Sequence, residues 1–162
     1  GALEHKDSMG NGSVIRPGDV QRMTAGTGVL HSEFNHSASG ITHFLQIWIE
    51  PNRRGLAPGY EERHFPAEQK RGRLRLVAAG DGVGDAVHIH QDTRIYVGLF
   101  DGGEADRLEL APGRKMYVHV ARGALTVNGQ RLLTGDAAKF SDEPSVEFVD
   151  GERAEVLAFD LP

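Results

Sequence analysis

The sequence contains no cysteine, which rules out a disulfide framework and thiolate metal sites. It has no apolar run of transmembrane length and no cationic segment leading into an apolar stretch at its start. A membrane helix or secretory signal is therefore not expected, and a soluble, cytoplasmic protein is the default. It has no excess of positive charge: 18 Lys and Arg stand against 23 Asp and Glu, a net charge of −5. A grip on nucleic acid driven by phosphate neutralisation is not expected, although binding a protein that itself holds DNA is compatible with this charge. No stretch carries a long apolar period of 3.6 residues, and no Ser-His-Asp set or zinc finger is discernible. Gly26-Thr27-Gly28 is glycine-rich, but no helix follows it as a phosphate loop requires. The chain also begins Gly1-Ala2-Leu3 without an initiator methionine, which points to processing, trimming or an incomplete start.

What the chain does have is glycine, short apolar runs and histidine. Its 162 residues suffice to bury a core as one domain or two small ones. Most of the 21 glycines lie between short apolar runs, where they read as turn formers. Strands are expected over residues 2–7, 13–16, 20–23, 29–34 and 42–50. Residues 42–50, THFLQIWIE, form the strongest candidate in the first half because they are aromatic and β-branched. Residues 51–73 are rich in Pro, Gly and charge and read as a linker with one helical turn near 66–69. Strands resume over 74–78, 93–100, 107–110, 116–120, 124–127, 131–133, 137–140, 146–149 and 154–159. Asn128-Gly129, between alternating apolar flanks, is a type I′ hairpin signal. Many short strands with regular turns indicate an all-β barrel or sandwich.

The two halves resemble each other. Gly1-Ala2-Leu3 matches Gly123-Ala124-Leu125, Asn11-Gly12 matches Asn128-Gly129, and Pro17-Gly18-Asp19 matches Thr134-Gly135-Asp136. Two β modules in tandem follow, 1–50 and 74–162. A strand over 114–122 feeds the second copy, whereas nothing precedes Gly1. The first module is thus expected to lack its opening strand, which leaves a sheet edge that a dimer contact would protect.

The chemistry centres on His31 and Glu33. Side chains two apart on a strand share a face, so this imidazole and carboxylate make half of a metal site suited to iron, manganese or nickel. A lone His-x-Glu is a weak motif, and a polar strand face with satisfied hydrogen bonds is the plainer reading. His88 and His90 form another same-face pair, but they open the second module. His5 and His36 lie near turns and read as exposed. Gln46 shares a strand face with Phe44 and Trp48, so it either faces the barrel interior or is a buried amide satisfied by backbone. Met23 is a pocket candidate, with core packing the plainer alternative.

Pro17-Gly18-Asp19-Val20-Gln21, Met23-Thr24-Ala25-Gly26 and His31-Ser32-Glu33 together resemble the signature of pirins. The resemblance continues through Gln46-Ile47-Trp48, Tyr60-Glu61, His90-Gln91-Asp92, Val127-Asn128-Gly129, Gly135-Asp136 and Phe159-Asp160-Leu161-Pro162, in family order. It implies two tandem cupin domains, each an antiparallel β-barrel, with the first truncated at its N-terminus. It implies one divalent metal, iron(II) first, with manganese, nickel or zinc as alternatives. His31 and Glu33 match the last two of three His and one Glu ligands. The first two ligands belong to a His-x-His pair ahead of the Gly-Ala-Leu segment, which is absent here, so the resemblance leaves metal occupancy in this chain open. The implied activity is that of a quercetin 2,3-dioxygenase, a metal-dependent opening of a flavonol by O₂ with Glu33 as a base. The alternatives are a non-enzymatic regulatory module that binds a protein partner, with a structural or redox-sensing metal, and a truncated chain without the activity.

Overall fold

A computed structural model describes residues 1–80 and 82–162. The fold is built almost wholly of antiparallel β-structure, as the short apolar runs predict. The second half forms one sheet: β6 (Leu74–Ala79), β7 (Val87–His88), β8 (Arg94–Gly102), β9 (Asp106–Glu109), β10 (Lys115–Val127), β11 (Gln130–Leu133), β12 (Ala137–Ser141) and β13 (Ser145–Leu161). Its path runs β11-β10-β13-β8-β6-β7, with β12 paired to β10 and β9 to β13.

Two long strands, β10 and β13, carry this sheet, where the sequence suggested four short ones. Both are bent instead of broken. Along β10 the buried residues Met116, Val118 and Val120 occupy even positions, whereas Leu125 and Val127 occupy odd ones. The register against β13 shifts between Val120 and Thr126, so a bulge inserts the extra residue that keeps both runs facing the core. Gly123 sits at this bend with φ +70°, and an added Cβ would lie 2.3 Å from the Glu152 carbonyl oxygen. Only glycine lets the two strands approach so closely there. The strands curl around Phe100, Met116, Leu125, Phe148 and Val156, all nearly inaccessible. The Asn128-Gly129 turn has φ of 45° and 78° and joins Val127 to Gln130 across the pair, which is the type I′ geometry expected.

The first half contributes β1 (Leu3–Asp7), β2 (Gly12–Ile15), β3 (Asp19–Thr24), β4 (His31–Asn35) and β5 (Gly59–His64). β2-β1-β4 form a three-stranded sheet, and β3-β5 form a two-stranded one. The internal repeat is visible in the pairing. The β1–β2 hairpin corresponds to that of β10 and β11, and β1 pairs with β4 as the end of β10 pairs with the start of β13.

Two expectations are corrected. Residues 51–73 are more than a linker, because they contain β5, which forms a full ladder with β3, and the buried Phe65. The helical turn appears as a single 3₁₀ turn, Ala67–Gln69. Residues 42–50 form no ladder at all. Their composition favours a strand, but a strand exists only where a neighbouring edge offers hydrogen bonds, and propensity is subordinate to that context. The segment is tied at its ends, by Ala2 N–H donating to Thr42 Oγ1 (3.2 Å) and Gln91 Nε2 donating to the Glu50 carbonyl (2.9 Å). Between these ties Trp48 is 88% exposed.

Candidate metal centre

β1 and β4 run antiparallel in a register that sets His5 opposite Glu33 and Asp7 opposite His31. Directly opposed residues in such a pair share a face. Two imidazoles and two carboxylates therefore stand in a square on one side of the sheet. They divide by depth: His31 is exposed and Glu33 partly so, whereas the side chains of His5 and Asp7 are inaccessible to solvent.

The buried half is a closed hydrogen-bonded unit. His5 Nε2 lies 3.2 Å from Asp7 Oδ2, and His5 Nδ1 lies 3.2 Å from Gln21 Nε2 on β3. The tautomer that satisfies both contacts carries its proton on Nε2, donates to Asp7 and accepts from the Gln21 amide. Glu33 Oε1 is 3.7 Å from the same Nδ1, beyond hydrogen-bond reach but in electrostatic contact. The His5 ring stacks on His31 with centroids 5.8 Å apart, and packs on Tyr60 of β5 at 5.0 Å. Asp7 Oδ1 also accepts the backbone N–H groups of Met9 (2.9 Å) and Asn11 (3.0 Å). Burial works to raise the Asp7 carboxyl, but the bonds from Asn11, His5 and Met9 outweigh it and hold the group at about 2. Tyr60 donates to Glu62 Oε2 at 2.6 Å and meets Ser13 Oγ at 2.6 Å. Burial and the Glu62 carboxylate push its phenol up to about 12, so it remains a neutral donor across the ordinary pH range.

The expectation that His5 is exposed is thus overturned. The sheets β2-β1-β4 and β3-β5 face each other, and His5 lies between them. The signal for this was available in strand parity: Leu3, His5 and Asp7 alternate on one face, and an apolar Leu3 marks that face as inward. Asp7, Gln21 and Tyr60, which the sequence reading left without a role at the site, enter with it. Met23 is half-buried on β3, directly across from Tyr60. Gln46 is exposed, lining a groove of about 540 Å³ with Tyr117, His119 and Phe159 that contains neither His31 nor Glu33. Its segment has no ladder to turn that face inward. His88 and His90 do not join His31 and Glu33, since among the described residues no three His, Asp or Glu side chains converge on a common point.

The imidazole and carboxylate of His31 and Glu33 suit a first-row divalent ion by donor type. By number they supply two positions of its coordination sphere, and the His5 nitrogens are committed to Asp7 and Gln21. What the arrangement offers is a pair of accessible donors on β4, backed by a buried, hydrogen-bonded network.

Comparisons with known proteins identify the family. The family model described as Pirin matches residues 1–49, and that described as Quercetinase C-terminal cupin domain matches residues 76–161. A quercetin 2,3-dioxygenase of Escherichia coli K12 is 37% identical over 162 residues, covering 100% of this chain and 69% of that protein. A putative quercetin 2,3-dioxygenase of Pseudomonas aeruginosa is 38% identical, covering 99% and 69%. The crystal structure of YhhW from Escherichia coli superposes with a TM-score of 0.93 at 37% identity, covering 100% of this chain and 68% of that one. The bacterial pirin YhhW in complex with nickel(II) gives 0.91 at 36% identity, covering 100% and 69%. The chain belongs to the pirin family of cupin proteins, whose relatives include named quercetin 2,3-dioxygenases.

Proposed function

We propose that this chain serves pirin-type dioxygenase chemistry: the O₂-dependent ring opening of a flavonol such as quercetin at a divalent metal held in part by His31 and Glu33. The observation that carries the proposal is the pair itself, two accessible donors of the right type on one face of β4, with the buried His5 stacked on His31 and 3.7 Å from Glu33. A metal ion there would supply Lewis-acid activation of the flavonol hydroxyl and electron exchange with O₂. The nickel(II) complex of the related pirin supports a first-row divalent ion. We propose iron(II), with manganese, nickel and zinc as the alternatives.

The protein's own contribution is positional and protolytic. The His5 ring beneath His31 limits how far that imidazole can tilt. Glu33, partly open to solvent, is the accessible carboxylate of the square and accepts the proton of a bound flavonol hydroxyl. Asp7 is barred from that role, because its lone pairs are taken by Asn11, His5 and Met9.

A second reading is favoured by one observation: among the described residues, no three candidate ligands come together to hold a metal. In that reading the chain is a non-enzymatic regulatory module that meets a protein partner, with a structural or redox-sensing metal. Metal content by mass spectrometry, on the chain and on His31→Ala, tests the site. A clear fall in the variant is expected, and equal content removes His31 as a ligand. Quercetin consumption by the fully metallated, full-length protein separates the readings: turnover is expected, and metal retention there without turnover overturns the dioxygenase reading.

A further inference from the structure

The chain holds a second cluster of chemistry-bearing side chains, at the entry to the second half. Strand β7 and its continuation alternate strictly: Val87 and Ile89 are buried in the apolar core, so His88 and His90 project together to the opposite side. There they line a cavity of about 440 Å³ with Asn52, Arg53 and Gln91. The cavity is held in shape by backbone. Asn52 N–H donates to the His90 carbonyl (2.8 Å), Arg22 Nε donates to the His88 carbonyl (2.9 Å), and a Cβ on Gly80 would lie 2.0 Å from the Gln91 carbonyl oxygen.

Its polar groups are uncommitted. The His88 and His90 rings touch each other edge to face at 4.7 Å, but neither takes part in a hydrogen bond among the described residues. The Asn52 amide and the Arg53 guanidinium are likewise unpartnered there. Gln91, by contrast, is spent on Glu50 and Asp92. Among the described residues, no carboxylate lines the cavity. Glu61, which accepts the His88 N–H, is also occupied by Arg22 and Arg63. Burial lowers the His90 pKa most, and the neighbouring His88, Arg53 and Arg22 add a smaller, positive field. Such a field repels a cation and attracts an anion.

We propose that this cavity binds a small molecule through its carboxylate or phosphate group, with Arg53 as the charged donor and His88, His90 and Asn52 completing the hydrogen bonds. Arg suits this role because its planar fork matches both oxyanions. The cavity volume leaves room for an organic body beyond the anionic group. None of His5, His31 or Glu33 lines it, so the two sites stand or fall separately.

The test is titration of the whole chain with inorganic phosphate and, separately, with benzoate, at constant ionic strength. Calorimetry and the His88 and His90 ring resonances provide the readouts. Saturable binding of either anion that moves both rings is expected, and the preferred anion identifies the group recognised. Arg53→Ala should weaken that binding about tenfold. Arg54→Ala, the adjacent exposed arginine outside the cavity, should change it less than about twofold. Arg53 is exposed, so its variant keeps the fold, and it carries the test if His90→Gln fails to fold. Absence of saturable binding at millimolar anion overturns the proposal. So does equal weakening by Arg53→Ala and Arg54→Ala, which signals diffuse charge attraction. Displacement of the two rings by zinc or nickel ions without any response to anions overturns it too and makes the pair a cation site.

Discussion

Replacement of His5 by phenylalanine isolates the hydrogen-bonding role of the buried unit behind His31 and Glu33. The two rings are similar in size, so the stacks on His31 and Tyr60, at 5.8 and 5.0 Å, are retained. What disappears is the Nε2–H bond to Asp7 and the acceptor for Gln21 Nε2, both 3.2 Å long. Asp7 keeps its bonds from Asn11 and Met9, which limits the damage, whereas the Gln21 amide loses its partner between the two sheets. Deleting hydrogen bonds at a fully buried position, offset by the more apolar ring, gives a net loss of about 2–3 kcal/mol. For a chain of this size that corresponds to a fall in Tm of roughly 4–12 °C, followed by far-UV circular dichroism. His36→Phe is the matched control. His36 lies on the surface, bonded to Glu4, and its loss should leave Tm nearly unchanged. A His5→Phe change below about 0.5 kcal/mol, the range typical of surface substitutions, would refute the view that this network holds β1 and β3 together.

Further expectations concern pH, backbone and surface. The Asp7 carboxyl sits at about 2 in the fold against 3.8 when free. Its stabilising contribution is therefore complete above pH 4 and lost as pH falls toward 2, and Asp7→Asn should flatten the acid limb of a stability–pH curve. The Tyr60 phenol, at about 12 against 10, works at the other end: its contribution is present below pH 10 and lost as pH rises to 12. Alkaline melting curves of Tyr60→Phe should show a shallower decline than wild type. Gly123→Ala places a Cβ 2.3 Å from the Glu152 carbonyl oxygen at φ +70° and should cost more than about 2 kcal/mol by urea unfolding. A midpoint equal to wild type would mean the β10 bend is not fixed there. Trp48, the sole tryptophan and 88% exposed, should show water-like emission and near-free acrylamide quenching. A shielded, blue-shifted spectrum would contradict the open placement of its segment.

Most strands were legible because their cues are local. Alternating apolar residues and the φ > 0 tolerance of Asn128-Gly129 specify backbone state without reference to distant parts of the chain. The same locality explains the misreadings. The Arg122-Gly123 and Asp150–Arg153 stretches look like strand ends, yet they are bends within β10 and β13, because a bulge uses the same residues as a turn. Residues 42–50 have strand composition but no edge to pair with. Pro51 and the charged run after it disguised β5, whose existence depends on β3 in another part of the chain. At the candidate site, the shared strand face of His31 and Glu33 was legible from their spacing, whereas the burial of His5 was not.

By itself the sequence determined an all-β chain, the internal repeat, the family, and the shared face of His31 with Glu33 and of His88 with His90. All of these follow from a two-residue period or from motifs contiguous in the chain. Only the tertiary structure decided which of those faces are buried. The apposition of β2-β1-β4 with β3-β5 places His5 and Asp7 beneath His31 and Glu33. The packing of the 51–54 loop against β7 gives His88 and His90 a cavity with Arg53. Burial and electrostatic environment are sums over neighbours far away in sequence, and no local pattern of residues encodes them.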